Sequence, residues 1–275
     1  MGILTKRAAA ILLVVGLWGC AENEEAAIEG DSVEKVEDAI VVTEIESAPT
    51  QRFYNEFLAC TRGPDYSEEN VEKMIVEFNA LALAGELVWA GGYAPVEGKN
   101  QNSNGWWENQ WTSQEAAQAG WEAWQADEEA QEWNERFQSV VQCDESEIFG
   151  YTTYFPAPES MHLESWENYA GAEIACNFNE GKGKVDLDNN IEEFAVWLAE
   201  NGTGEQFEYG IYMPVGTDSA DFYWFNWHAD FESMERGNQN WETNGADLKA
   251  KFDDTATCME PNLYNGREIY ALSSD

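Results

Sequence analysis

Hydrophobic and polar positions along the chain fall into short blocks, and the blocks recur. Residues 53–60 and 172–178 alternate with a period of two, which predicts a strand in each place. Each is followed by a stretch with helical period: Val71, Met74, Ile75 and Phe78 in one, and Ile191, Phe194, Ala195 and Leu198 in the other. Ser67 and Asn189 stand where N-caps belong, Glu192 completes a capping box with Asn189, and Gly85 and Gly202 are the expected stops. Second strands are predicted over 86–93 and 206–213, stopped by Pro95 and Pro214. Third strands follow over 105–111 and 221–227. Thr112 with Glu115 opens another helical stretch, whose counterpart begins at Ala229 or Asp230 and breaks at Gly237. Last strands are expected over 147–155 and 266–272.

The two series are a duplication. Cys60 and Cys143 are 83 residues apart, and Cys176 and Cys258 are 82 apart. Glu56–Cys60 parallels Glu173–Cys176, Gly92–Val96 parallels Ile211–Val215, Trp107–Trp111 parallels Tyr223–Trp227, and Trp124 parallels Trp241, all at offsets of 115–120.

The ends and the charge refine this picture. Lys6 and Arg7 precede an apolar run, Ala8–Leu17, that is shorter than the ~20 residues a spanning helix needs. With Leu17-Trp18-Gly19-Cys20 it resembles a bacterial lipoprotein signal, which implies cleavage before Cys20 and lipid attachment there. Ala21 after the cysteine would direct such a lipoprotein to the outer membrane; the other outcome is secretion. Residues 21–50 hold ten acidic residues and one Lys, the composition of a disordered spacer. The net charge is −39 over 275 residues, and −41 from Cys20 onward, which excludes a nucleic-acid partner.

The order strand–helix–strand–strand–helix–strand, twice, is that of the split ferredoxin-like unit. Two in tandem resemble the dimeric α/β-barrel superfamily, with its antibiotic-biosynthesis-monooxygenase-like and NIPSNAP-like members. The segment Cys176-Asn177-Phe178-Asn179-Glu180-Gly181-Lys182 is similar to uncharacterised bacterial proteins of this class, and the first copy departs from it at Cys60-Thr61-Arg62-Gly63-Pro64. The resemblance implies an α+β fold in which two βαββαβ repeats of one chain form an intrachain barrel. The layout expected is a signal peptide at 1–19, the spacer at 20–50, repeats at 51–156 and 172–275, and a connector at 157–171. Four cysteines allow three pairings. The duplication, and a topology that makes first and last strands neighbours, favour Cys60–Cys143 and Cys176–Cys258.

Candidate chemistry is sparse. His228 follows an aromatic strand, and His228, Asn226 and Trp227 are the candidates for a catalytic or haem-linked role implied by the superfamily; a lone His at a strand end is more often a hydrogen-bonding residue. Tyr93, Trp107, Trp111, Tyr209, Tyr212 and Trp224 are candidates to line a ligand pocket, against core packing as the plainer account. Asp186-Leu187-Asp188-Asn189-Asn190 lacks the glycine of a calcium loop, so no metal is expected. No cofactor is implied outside the haem alternative, and no hydrolase or phosphate-binding signature occurs. The sequence therefore points to an exported, lipid-anchored module that binds a small apolar or aromatic ligand or an envelope protein, rather than to an enzyme. A cofactor-free monooxygenase or haem-linked enzyme and a structural envelope protein are the alternatives.

Overall fold

The computed structural model describes residues 51–81, 86–101, 104–158, 161–202 and 204–272. The signal segment, Cys20, the spacer and Gly85 lie outside the described residues. No described helix is long and apolar enough to cross a membrane.

The first repeat runs β1 (Arg52–Arg62), α1 (Glu68–Asn79), β2 (Leu87–Pro95), β3 (Gly105–Trp111), α2 (Gln114–Ala126), α3 (Glu128–Phe137) and β4 (Val141–Tyr154). The second runs β5 (Tyr169–Phe178), α4 (Lys184–Asn201), β6 (Phe207–Pro214), β7 (Phe222–His228), α5 (Phe231–Asn244), α6 (Ala246–Thr255), β8 (Ala256–Cys258) and β9 (Asn262–Ala271). Within the repeats the strands lie in the orders β4-β1-β3-β2 and β9-β5-β7-β6, the ferredoxin-like order, with every pairing antiparallel. The edges then join, β2 to β9 and β4 to β6, so eight strands close on themselves and no long edge is left open. The short β8 pairs with β5 beside this ring. The fold is α+β, two ferredoxin-like repeats closed into one barrel.

Disulfides join Cys60 to Cys143 and Cys176 to Cys258, each between residues directly opposed on neighbouring strands. The last strand of the first repeat begins earlier than its hydrophobic pattern indicated, at Val141, and so carries Cys143. In the second repeat the same path is broken by Pro261, so Cys258 sits on β8 and β9 starts afresh at Asn262.

Some local expectations are corrected. Ser67 does cap α1, accepting from the Asn70 N–H at 3.2 Å. Asn189, however, lies inside α4, which begins five residues earlier at Lys184 behind Gly183. Ser113, not Thr112, caps α2, and the second helical stretch of each repeat is two helices rather than one. Gly237 does not break α5: a Cβ there would come within 3.3 Å of the His228 ring, so glycine lets helix and strand approach.

Strand parity divides the aromatic residues. Outward strand residues pack against helix residues: Ile269 with Met74, Phe78, Trp133 and Phe137 in one layer, and Tyr209 and Phe222 with Leu187, Ile191 and Phe194 in the other. Inward residues form a separate cluster around Phe57, Tyr93, Tyr151, Tyr212, Phe225, Trp227 and Tyr264. Residues Phe155, Leu163 and Trp166 of the inter-repeat segment pack against this cluster. Gly266 makes room for a ring of the cluster, since a Cβ there would fall 1.9 Å from an atom of Tyr169.

Candidate functional site

Strand register identifies equivalent positions in the two repeats. Tyr54 faces Trp111 as Ala170 faces His228, and Phe57 faces Glu108 as Glu173 faces Phe225. Trp107 therefore corresponds to Trp224 and Asn109 to Asn226, one residue away from the alignment drawn from the sequence. The side chains agree: the Trp107 indole donates to Asn109 at 2.8 Å, and the Trp224 indole to Asn226 at 2.6 Å. By the same register His228 corresponds to Trp111.

Two equivalent pairs inside the barrel break this symmetry. The first repeat places Phe57 on β1 and Glu108 on β3; the second places Glu173 on β5 and Phe225 on β7. The two phenyl rings stack, with centroids 6.4 Å apart and planes 15° from parallel. Each glutamate has its own surroundings.

Glu108 is 1% exposed. Its Oε2 accepts from the Tyr93 hydroxyl at 2.6 Å, and its Oε1 from the Tyr212 hydroxyl at 2.8 Å and the Asn55 amide at 2.7 Å. Tyr93 and Tyr212 are themselves equivalent, since they face Trp106 and Tyr223 on the neighbouring strands. One carboxyl thus gathers two symmetry-related phenols. Burial pushes its pKa up to about 7, although all three donors pull the other way.

Glu173 instead faces a cavity of about 320 Å³ in the barrel mouth. Trp106, Phe149, Tyr151, Tyr223, Phe225 and Tyr264 supply most of its aromatic wall, with Asp218 and Glu260 as further acids. The Glu173 carboxylate accepts from the Asn262 amide at 2.9 Å, and burial raises its pKa. Asp218 accepts from the Tyr223 hydroxyl at 2.7 Å and from the backbone N–H groups of Ser219 and Ala220. Partial burial pushes Asp218 up, but these bonds outweigh it and hold its pKa below the usual carboxylate value.

The residues singled out in the sequence are scattered relative to this site. Tyr212 lines the mouth cavity and Tyr93 lies deeper in the same interior cluster. Trp107 and Trp111 face outward and line a smaller, apolar space of about 100 Å³ between sheet and helices. Tyr209 and Trp224 are stacked 4.9 Å apart in the layer under α4 and α6. The trio Asn226, Trp227 and His228 is split: Trp227 points into the barrel, whereas Asn226 and His228 point out. His228 is 4% exposed, its ring centroid lies 4.9 Å from that of Phe207, and burial lowers its pKa to about 4. Neither the mouth cavity nor the sheet–helix cavity is lined by His228. A buried imidazole wedged between Phe207 and Gly237 does not fit the role of an axial ligand, because a haem needs open space on the ligand's side. Among the described residues no cluster of metal ligands occurs; Asp186 bonds the Gly183 N–H and Asp188 pairs with Lys184.

Sequence reasoning missed Glu108 and misplaced Glu173. The parallel of Glu56 with Glu173 does not hold in register, because they stand four and three residues before their cysteines. That one-residue difference puts them on opposite faces. Glu56 points outward, 6% exposed, where it accepts from the indoles of Trp111 and Trp121. The signal for Glu108 was present: an acid at inward parity in Trp107-Glu108-Asn109, where the other repeat has Trp224-Phe225-Asn226.

No protein-family model matches the chain, and no curated protein matches it in sequence. Several solved structures are similar to it over most of their length. An anthrone oxidase-like protein shares 14% identity over 83% of this chain and 98% of its own, with a TM-score of 0.46. A chlorite dismutase from Candidatus Nitrospira defluvii, solved with imidazole, shares 11% over 80% and 92%, also at 0.46. A monooxygenase-like protein from Lactobacillus acidophilus shares 9% over 80% and 95%, again at 0.46. Likeness at this level carries no argument about activity, and the fold is read from the chain's own strand pairings.

Proposed function

We propose that the barrel is a small-molecule binding module whose ligand sits in the mouth cavity, and that Cys20 and the acidic spacer hold it at a bacterial envelope. The observation that carries the ligand reading is the cavity itself. At about 320 Å³ it lies in the range of small-ligand sites, and it combines aromatic faces with a few placed polar groups. The space beside Trp107 is smaller, at about 100 Å³.

The reading is tested with a neutral apolar dye, N-phenyl-1-naphthylamine, whose fluorescence rises on leaving water. Saturable binding is expected, and it should be lost in Ala175→Phe, which puts a ring into the cavity wall. Equal binding by wild type and by a folded Ala175→Phe variant contradicts it. The tether is tested separately, by metabolic lipid labelling that should disappear in Cys20→Ala; labelling that persists contradicts the anchor.

A further inference from the structure

Resting on that ligand reading, we propose that the mouth cavity selects an organic cation, an ammonium group carried on a small carbon skeleton. Three features of the cavity converge on this class.

The first is the arrangement of rings. Trp106 and Phe149 lie 5.9 Å apart with planes at 84°, and Tyr151 and Tyr223 lie 5.5 Å apart at 87°. Phe57 stands at 83° to Trp106 and 86° to Tyr151. Rings set edge to face present π-faces in several directions and so build walls of a box. A flat neutral aromatic ligand needs one slot between parallel planes, whereas a roughly spherical alkylammonium can touch several π-faces at once.

The second is charge. Glu173, Asp218 and Glu260 line the cavity, and no Lys, Arg or His does so among the described residues. Lys99, two residues before the lining Gln101, is not among the wall groups. The polar partners of Glu173 and Asp218 are neutral donors: an amide, phenols, a hydroxyl and backbone N–H groups. Elsewhere among the described residues acids do find cations, as Asp188 finds Lys184, Glu205 finds Arg236, and Glu68 and Glu72 find Arg267. Inside the mouth none of the lining residues supplies a positive charge.

The third is the asymmetry of the two repeats. The position equivalent to Glu173 is Phe57, and the loop acid Asp218 sits beside Glu173's half of the cavity. The acids of the cavity, Glu173, Asp218 and Glu260, therefore all come from the second repeat, whereas Trp106 and Phe149 come from the first. A cation held between them would take its charge complement from one repeat and part of its π-faces from the other.

Choline and 3,3-dimethylbutan-1-ol separate this inference from the reading beneath it, because they share a shape and differ in charge. Each is used to displace the naphthylamine dye from the full chain at fixed ionic strength. Choline should compete about tenfold more tightly than its isostere. In Glu173→Gln/Asp218→Asn the ratio of choline to isostere affinity, measured against the same dye in the same variant, should fall to about one. Glu128→Gln/Glu129→Gln on α3 removes the same charge far from the cavity and should leave the preference intact. That control separates the site from general attraction by an acidic protein. Equal competition by the two probes, or a preference untouched by Glu173→Gln/Asp218→Asn, overturns the cation inference and leaves the ligand reading standing. Failure of the dye to bind overturns both.

Discussion

The two halves of the barrel share a backbone plan and differ in what they put inside it. Outside, under the helices, the repeats keep the same Trp–Asn hydrogen bond, at Trp107–Asn109 and Trp224–Asn226. Inside, Phe57 and Glu108 of one half correspond to Glu173 and Phe225 of the other. A symmetric barrel could have carried two equal carboxyl sites. Exchanging phenyl and carboxyl gives one acid buried among phenols and another on the wall of a cavity. The difference teaches that duplication sets the frame, while divergence at a few inward positions gives the two halves different interiors.

The comparison is sharpened first where the halves should behave alike. The disulfides close loops of 83 and 82 residues. Chain entropy then makes each worth about 4.5 kcal/mol, so Cys60→Ala/Cys143→Ala and Cys176→Ala/Cys258→Ala should lose similar stability in urea unfolding. A loss confined to the Cys60–Cys143 pair would show that the short β8 does not hold its bridge as β4 does.

The halves should part in their response to pH. Glu108 has a pKa raised from 4.5 to about 7, so the folded state holds its proton more tightly than the unfolded chain. That contribution is complete below pH 4.5 and is lost as pH rises through about 7, a change of about 3 kcal/mol. His228 behaves oppositely, its pKa lowered from 6.5 to about 4 by burial. Its contribution is complete above pH 6.5 and is lost as pH falls through about 4, by a similar ~3 kcal/mol at most. Glu108→Gln should therefore remove a decline in stability toward neutral pH, and His228→Gln a decline toward acid. Unfolding free energies measured at intervals from pH 4 to 8 check both; parallel curves for wild type and variant would contradict the burial assigned to that residue.

The smallest effect expected is at the helix starts. Ser67→Ala removes a side-chain cap from α1 and should cost about 1 kcal/mol. The equivalent α4 begins behind Gly183, which offers no side-chain oxygen. Gly183→Ser should therefore gain up to about 1 kcal/mol if its extended backbone is kept, because that conformation suits a serine cap. Thermal unfolding separates the two changes by sign.

Much of the frame could be read from the chain because it rests on local, repeated signals. Cysteine spacing exposed the duplication, period-two blocks located the strands, and the ferredoxin-like order made first and last strands neighbours, which led to both bridges. Helix starts were less visible, since Gly183 caps α4 without a side chain and Thr112 stands next to the true cap Ser113. The interior was least visible. Its inward faces come from eight strands, and one residue of misalignment turns an inward side chain outward, as happened with Glu56 and Glu173. Glu108 was one acid among 53 until strand pairing showed it opposite Phe57. His228 drew attention by rarity, yet rarity says nothing about which face of a strand a residue occupies.

The most direct measurement is the stoichiometry of dye binding by equilibrium dialysis, on wild type and on Ala175→Phe. One molecule bound per chain, and none in a variant of unchanged melting temperature, is the result expected if the exchanged phenyl and carboxyl residues leave a single site in the barrel mouth. Two molecules per chain, or one that survives Ala175→Phe, would contradict it.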